Sequence, residues 1–137
     1  MNTKQDVLAY LQQYGIKPSL QRIIIAEYLM ENHIHPTVDD IYDALYIKVP
    51  TLSKTTVYNT LKLFVQEGAV QSLVIDDKNM RFDINISYHA HFQCTVCRRV
   101  FDIPSDKLSC LEVKQIGEFV ITESHQYYKG YCSQCRN

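Results

Sequence analysis

The sequence lacks the features that mark several common classes of protein. No apolar run approaches the roughly 20 residues that a membrane-spanning helix needs. Acidic and basic residues nearly cancel, at 15 and 14, so bulk charge does not indicate a nucleic-acid binder. No tract is of low complexity, and residues 1–6 carry no apolar secretion signal. We therefore expect a cytoplasmic protein whose 137 residues, 46% of them hydrophobic, form one domain or two small ones.

Two Cys-x-x-Cys pairs are the most specific pattern in the chain. Cys94 and Cys97 form the first pair, and Cys132 and Cys135 form the second. Four thiolates on two short loops suit a tetrahedral structural zinc site, whose binding energy would stabilise the fold. Two disulfides or a thioredoxin-like redox pair are the alternatives, although structural disulfides are rare in the cytosol. The fifth cysteine, Cys110, falls in a helical pattern and is interpreted as a small core residue.

A second group of metal-ligand types lies around the first cysteine pair. If residues 88–94 form a strand, His89 and His91 project from one face, roughly 7 Å apart. Asp102 ends the next short strand, Asp83 lies on the polar side of an earlier one, and His35 precedes a helix on a loop that leaves its ring free to turn. Three histidines and two carboxylates suit iron or manganese better than zinc. The alternative is a pair of half-exposed strand histidines, and the sequence alone does not bring the five residues together.

The first half of the chain has the pattern of helices followed by a hairpin. Helices are expected over residues 3–14, 19–32, 37 to beyond 45, and 53–66, and strands over 69–75 and 79–84. Thr37 and Asp40 predict a capping box at the third helix. Three or four helices followed by a two-stranded hairpin indicate a winged helix-turn-helix, in which the helix before the hairpin is the recognition helix.

One face of this recognition helix is polar and basic with one aromatic residue, which suits a DNA major groove. A solvated helix face is the alternative interpretation. The candidate DNA-binding residues are Lys54, Thr55, Thr56, Tyr58, Asn59 and Lys62.

The second half of the chain predicts a smaller mixed domain. After a hinge at residues 85–87 and the histidine-bearing strand, we expect a strand over 99–103, a helix from 104 to about 116 and a strand over 119–128. His125, in the last of these, is interpreted as a surface residue. The predicted fold class is α+β, with a winged helix-turn-helix DNA-binding domain at 1–84 and a small C-terminal α/β domain at 85–137.

Taken together, the motifs resemble those of the ferric uptake regulator family over nearly the whole chain. The residues that carry the resemblance are Gln21-Arg22, His35-Pro36-Thr37, Ile41-Tyr42, Thr56-Val57-Tyr58, Arg81-Phe82-Asp83, His89-Ala90-His91 and both cysteine pairs. The resemblance implies a homodimeric, metal-dependent transcriptional repressor, not an enzyme. Its N-terminal domain would bind AT-rich palindromic operators, and its C-terminal metal-binding domain, residues 85–137, would dimerise. The resemblance further implies that Zn²⁺ binds the four paired cysteines. A regulatory Fe²⁺ or Mn²⁺ would bind His35, Asp83, His89, His91 and Asp102.

Asp102 points to a particular branch of this family. Uptake regulators usually carry glutamate there, whereas peroxide-responsive members carry aspartate. An additional family site falls here on Tyr88, Ala90 and Ser109, none of which is a good ligand. The resemblance thus implies a sensor of hydrogen peroxide in which iron chemistry oxidises His35 or His89. The alternatives are an uptake repressor that senses iron or zinc level, a Cys-x-x-Cys thiol oxidoreductase and a zinc-stabilised RNA-binding module.

Overall fold

The computed structural model describes residues 3–32, 34–76, 78–104, 106 and 113–136. The chain divides into two compact units, Met1–Ile86 and Ser87–Asn137, whereas the boundary expected from the sequence lies after residue 84. None of the helices in the described ranges combines the length and apolar character that crossing a membrane would require.

The first unit consists of four helices and a hairpin. The helices are α1 Lys4–Gln13, α2 Leu20–Glu31, α3 Val38–Leu45 and α4 Lys54–Gln66, and the strands are β1 Gln71–Leu73 and β2 Arg81–Asp83. The strands pair antiparallel, with Gln71 opposite Asp83 and Leu73 opposite Arg81. This order of elements is the one predicted from the sequence.

Each of these helices begins at a serine or threonine that caps it. The hydroxyls of Thr3, Ser19, Thr37 and Ser53 each accept the backbone N–H three residues later, which satisfies a donor that the helix itself leaves without a partner. The predicted capping box of Thr37 and Asp40 is present, because the Asp40 carboxylate accepts the Thr37 N–H at 3.0 Å.

One side of each helix packs into a single hydrophobic core. Val57, Leu61 and Phe64 on α4 are fully buried, and their spacing of four and three residues places them on one side of the helix. They join Val7 and Leu11 of α1 and further buried side chains of the other elements: Ile16, Ile25, Ala26, Leu29, Ile41, Leu45, Val49, Leu52, Ala69, Val70 and Phe82. The core therefore fixes α4 with its opposite face in solvent.

The second unit is built around a three-stranded sheet. Its central strand β3, Ala90–Cys94, pairs antiparallel with β4, Val100–Ile103, and parallel with the last strand β7, Tyr127–Gly130. A separate hairpin joins β5 Gln115–Ile116 to β6 Phe119–Val120. Among the described residues of this unit, the buried hydrophobic ones are Ala90, Cys94, Val100 and Cys132.

Two predictions about the second unit are wrong in part. Most of the helix expected from 104 to about 116 falls on residues 105 and 107–112, which include Cys110 and lie outside the described ranges. Residues 115 and 116, where the helix was expected to end, form strand β5 instead. The single strand expected over 119–128 is two strands, β6 and β7. β6 pairs with β5, whereas β7 begins where the Gln126 carbonyl accepts the His91 N–H on β3. Alternation along the chain indicates extended structure but does not identify the partner strand.

Candidate metal centres and DNA-binding surface

The four paired cysteines come together at one end of the three-stranded sheet. Cys94 ends β3, Cys97 lies in the turn to β4, and the second pair follows β7, whose end is held to this turn by the Thr95 N–H donating to the Gly130 carbonyl at 2.8 Å. The four sulfurs lie within 4.8 Å of one another, and none of them forms a disulfide. Zinc–sulfur bonds of about 2.3 Å in a tetrahedron separate the sulfurs by about 3.8 Å. The 3.9 Å between the sulfurs of Cys97 and Cys132 fits that geometry.

Backbone donors favour the thiolate form, which a metal requires, at Cys94. The N–H of Cys97, with a smaller contribution from the N–H of Cys132, lowers the pKa of the Cys94 thiol to about 6, although burial opposes the shift. The contact with the sulfur of Cys132, and then burial, raises the pKa of the Cys135 thiol to about 12. Four sulfurs within 4.8 Å of one another suit a shared tetrahedral cation, whereas a redox pair needs only two of them.

The first unit contributes one histidine and one carboxylate of the predicted hard-metal set. The Nε2 of His35 lies 3.4 Å from the Oδ2 of Asp83 on β2, and their side chains are only 3% and 4% exposed. The sequence predicted a loop that leaves the His35 ring free to turn, and this is wrong. His35 is buried in a left-handed conformation, φ 57°, which costs a residue with a side chain about 1–2 kcal/mol.

The second unit contributes the other three predicted ligands. His89 lies just before β3 and His91 within it, and Asp102 lies opposite His91 on β4. The Oδ1 of Asp102 is 3.0 Å from the Nε2 of His89 and 3.3 Å from the Nε2 of His91. The two imidazoles are buried, with ring centroids 4.4 Å apart. One oxygen of Asp102 therefore lies within 3.3 Å of an imidazole nitrogen of each histidine.

A backbone contact decides which nitrogen His89 presents there. Its Nδ1 lies 2.7 Å from the Ser87 carbonyl, which can only accept, so Nδ1 carries the hydrogen. In the neutral ring Nε2 then holds a lone pair that faces the Asp102 oxygen. Two acceptors 3.0 Å apart need a proton or a metal ion between them. The sequence could not indicate this contact, because a backbone carbonyl has no sequence signature.

The candidate DNA-binding residues lie along α4 with different surroundings. Thr55, Tyr58, Asn59 and Lys62 are exposed, opposite the buried stripe. Thr56 is half-buried, and its hydroxyl lies 2.9 Å from that of Ser53 in the helix cap.

Lys54, at the start of α4, is exposed but already engaged within the first unit. Its Nζ forms a 3.2 Å ion pair with Asp39 and lies 5.6 Å from the centre of the Tyr42 ring. Lys62, the other basic residue of α4, is exposed and is the stronger candidate for a contact with a phosphate. The assignments of the metal ligands and of the DNA contacts stay predictions.

Comparison with known proteins identifies relatives along nearly the whole chain. The sequence model of the ferric uptake regulator family matches residues 13–128. The peroxide-responsive repressor PerR of Staphylococcus aureus strain Mu50 is 34% identical over 135 residues, which make up 97% of this chain and 91% of that protein.

Two solved structures show the same fold. The ferric uptake regulator Fur of Helicobacter pylori has a TM-score of 0.72 at 17% identity, covering 99% of this chain and 95% of its own. The ferric uptake regulator of Francisella tularensis, solved with iron, has a TM-score of 0.72 at 25% identity, with coverages of 90% and 96%. The predicted α+β fold class, a winged helix-turn-helix domain followed by a small mixed domain, is thereby confirmed.

The family model covers well over half of the chain, and the relative exceeds 30% identity over almost all of it. The resemblance inferred from the motifs is confirmed, as is the prediction that the protein is not an enzyme. The chain belongs to the ferric uptake regulator family.

Proposed function

We propose that this chain is a metal-dependent transcriptional repressor that binds DNA as a homodimer and releases it in response to hydrogen peroxide. The observation that carries the proposal is the carboxylate of Asp102 facing the Nε2 atoms of two buried histidines, an arrangement that suits a bound cation. The relative from Staphylococcus aureus, described as a peroxide-responsive repressor, supports the choice of signal.

In this proposal the two metals have separate tasks. Zinc on the four cysteines holds the end of the chain against the turn after β3 and is structural. The regulatory ion binds His35 and Asp83 from the first unit together with His89, His91 and Asp102 from the second. Nitrogen and carboxylate donors suit Fe²⁺ or Mn²⁺, and the iron in the Francisella tularensis regulator supports this choice.

An ion that takes ligands from both units would fix the angle between them. In a homodimer this angle sets the spacing of the two α4 helices, and a palindromic operator is bound tightly at only one spacing. We expect the operator to be AT-rich. The metal shifts the equilibrium only by its differential affinity for the matching and non-matching shapes.

Release from DNA would follow damage to a ligand. Bound ferrous iron would activate hydrogen peroxide as the oxidant of the imidazole ring, whereas manganese at the same ligands would not. The imidazole of His35 or His89 gains one oxygen atom of the peroxide, and the other oxygen leaves as water. The oxidised ring holds the ion poorly, the angle is no longer fixed, and repression of peroxide-defence genes ends.

The test compares the two metals on one protein. The zinc-loaded protein is prepared without air and given either Fe²⁺ or Mn²⁺. The manganese form first selects a DNA duplex from a random library, and both forms are then bound to that duplex. We expect peroxide to release the iron form only, and mass spectrometry to find one added oxygen on His35 or His89. His125→Ala is the matched control, because that exposed histidine pairs with Glu123 and takes no part in the proposed set. Release by peroxide without any oxidised histidine would refute the proposed chemistry.

The second candidate is an uptake repressor that senses metal level, which the iron-bound Francisella tularensis relative favours. It predicts that lowering the concentration of free metal releases DNA, whereas peroxide treatment affects the iron and manganese forms alike. The same experiment therefore separates the two candidates.

A further inference from the structure

Arg81, the first residue of β2, connects two parts of the first unit through one guanidinium group. Its Nη1 donates to the carbonyl of His35 at 3.1 Å. Its Nη2 and Nε donate to Oδ2 of Asp76 at 3.1 and 3.4 Å. The side chain of Arg81 is 15% exposed and that of Asp76 is 5% exposed, so this ion pair is largely shielded from water.

The anchor of this bridge is itself held in place. The second oxygen of Asp76 accepts the N–H of Lys78 at 3.0 Å, within the turn of the hairpin. An arginine fork has donors in one plane and can satisfy a carboxylate and a carbonyl at the same time. A lysine ammonium, as a point charge on a flexible stem, does not reproduce that geometry.

What the bridge holds is the backbone of a proposed metal ligand. His35 is buried in a left-handed conformation, and Arg81 binds its carbonyl. The next carbonyl, of Pro36, accepts the N–H of Phe82 at 3.0 Å. Two consecutive carbonyls of the His35 loop are thus bound by two consecutive residues of β2. The third residue of β2, Asp83, faces the His35 ring.

We infer that Arg81, anchored by Asp76, is a positioning residue that sets the orientation of His35 for metal binding. The inference rests on the proposed function, in which His35 and Asp83 bind the regulatory ion. Arg81 acts through the His35 carbonyl and is not itself a ligand. The N and O donors, buried 3.4 Å apart, fit a divalent ion, so a loss of their alignment lowers its affinity.

If Arg81 acts only through its charge, removing it should change the affinity for the metal ion in the opposite direction from that expected if Arg81 positions His35. Deleting a positive charge near a cation site strengthens cation binding, because it removes a repulsion. Deleting a group that orients a ligand weakens binding, typically about 10- to 100-fold. The sign of the change in affinity therefore distinguishes the two roles.

The experiment measures Mn²⁺ binding to the zinc-loaded protein by calorimetry in four forms: wild type, Arg81→Ala, His35→Ala and the double variant. We expect Arg81→Ala to weaken Mn²⁺ binding at least tenfold and to have little effect in the His35→Ala background, because it acts through that histidine. Hydrogen exchange of the amides of Ile34, His35 and Thr37, measured without Mn²⁺, should rise in Arg81→Ala.

Controls separate positioning from general damage. Arg22→Ala removes a similar contact, since its Nη1 donates to the Lys17 carbonyl at 2.7 Å, and should leave Mn²⁺ affinity unchanged. Arg81→Lys keeps the charge and should behave like Arg81→Ala. Asp76→Asn should show a smaller loss. These two variants provide the same comparison if Arg81→Ala does not fold.

Each outcome decides between the hypotheses. Unchanged or tighter Mn²⁺ binding by Arg81→Ala, with His35→Ala weakened, overturns the positioning role and leaves the proposed function standing. An equal loss from Arg81→Ala in both backgrounds also overturns it, since the effect then does not pass through His35. If His35→Ala binds Mn²⁺ like wild type, the proposed ligand set is wrong and the inference is overturned with it.

Discussion

Replacing Cys97 by serine offers a sharp test of the zinc centre, because Cys97 is exposed. The change removes no buried apolar group, and without a metal an exposed substitution alters the free energy of unfolding by no more than about 0.5 kcal/mol. Structural zinc contributes roughly 10–16 kcal/mol of folding free energy. If the four thiolates contribute equally, the loss of one costs about 3 kcal/mol.

The small core of the second unit makes that loss decisive. Besides two cysteines, the buried hydrophobic residues in its described part are Ala90 and Val100, and burying a valine contributes about 1.5 kcal/mol. A domain of this size without a large core needs a metal or a partner to fold. We therefore expect Cys97→Ser to unfold the second unit, while the first keeps its own core of Val7, Leu11 and Phe64.

The assay is hydrogen exchange followed by mass spectrometry, since the chain has no tryptophan to report unfolding. Peptides from β3 and β4 should lose protection, and those from α4 should keep it, with zinc content measured in parallel. Ser133→Ala, an exposed change between two of the cysteines, is the matched control and should retain zinc and protection. Full zinc content with a protected β3 in Cys97→Ser would refute the reasoning. Equal loss of protection in α4 would refute the independence of the two units.

Three further predictions concern the first unit. Lys62→Ala should weaken binding to all DNA sequences alike and reduce the dependence of DNA affinity on salt concentration by about one charge. Lys54 is already paired with Asp39, so Lys54→Ala should change this salt dependence less. Equal salt dependence of the two variants in a salt titration would contradict this. Tyr10→Phe should lower the free energy of unfolding by about 1 kcal/mol at neutral pH, because the hydroxyl donates to the Ala69 carbonyl. Burial raises the pKa of Tyr10, so the contribution of its hydroxyl to the free energy of unfolding is complete below pH 10 and declines above it. Above pH 10 the free energy of unfolding in urea should therefore depend less on pH in Tyr10→Phe than in the wild type. The same pH dependence in both proteins would count against this. Thr37→Ala removes the capping box of α3 and should cost about 1 kcal/mol in the same assay, whereas no loss would mean that the cap is dispensable.

The parts of the fold that depend on neighbouring residues could be predicted from the sequence. Ser53 and Thr37 begin helices because a hydroxyl there accepts an N–H three residues away, and that information is local. The burial of Val57 and Leu61 follows from spacing along one helix. The spacing of the cysteine pairs likewise predicted the cluster that the structure shows.

The parts that depend on distant residues could not be predicted. Nothing near Tyr127 indicates that its strand pairs in parallel with β3 rather than continuing β6. His35 was expected on a loop that leaves its ring free, because its restraint comes from Arg81, which lies 46 residues away. Pairing between distant segments is set by the packing of the folded chain and leaves little trace in either segment alone.

The three residues of β2 each make a different contact, so the hairpin depends on its strand register. Side chains alternate along a strand, so a slip of one position would carry Phe82 out of the core and bring one of its charged neighbours into its place. The same slip would deprive the His35 carbonyl of its donor and the His35 ring of the Asp83 carboxylate. One added residue inside β2 should therefore abolish hydrophobic packing and metal response together.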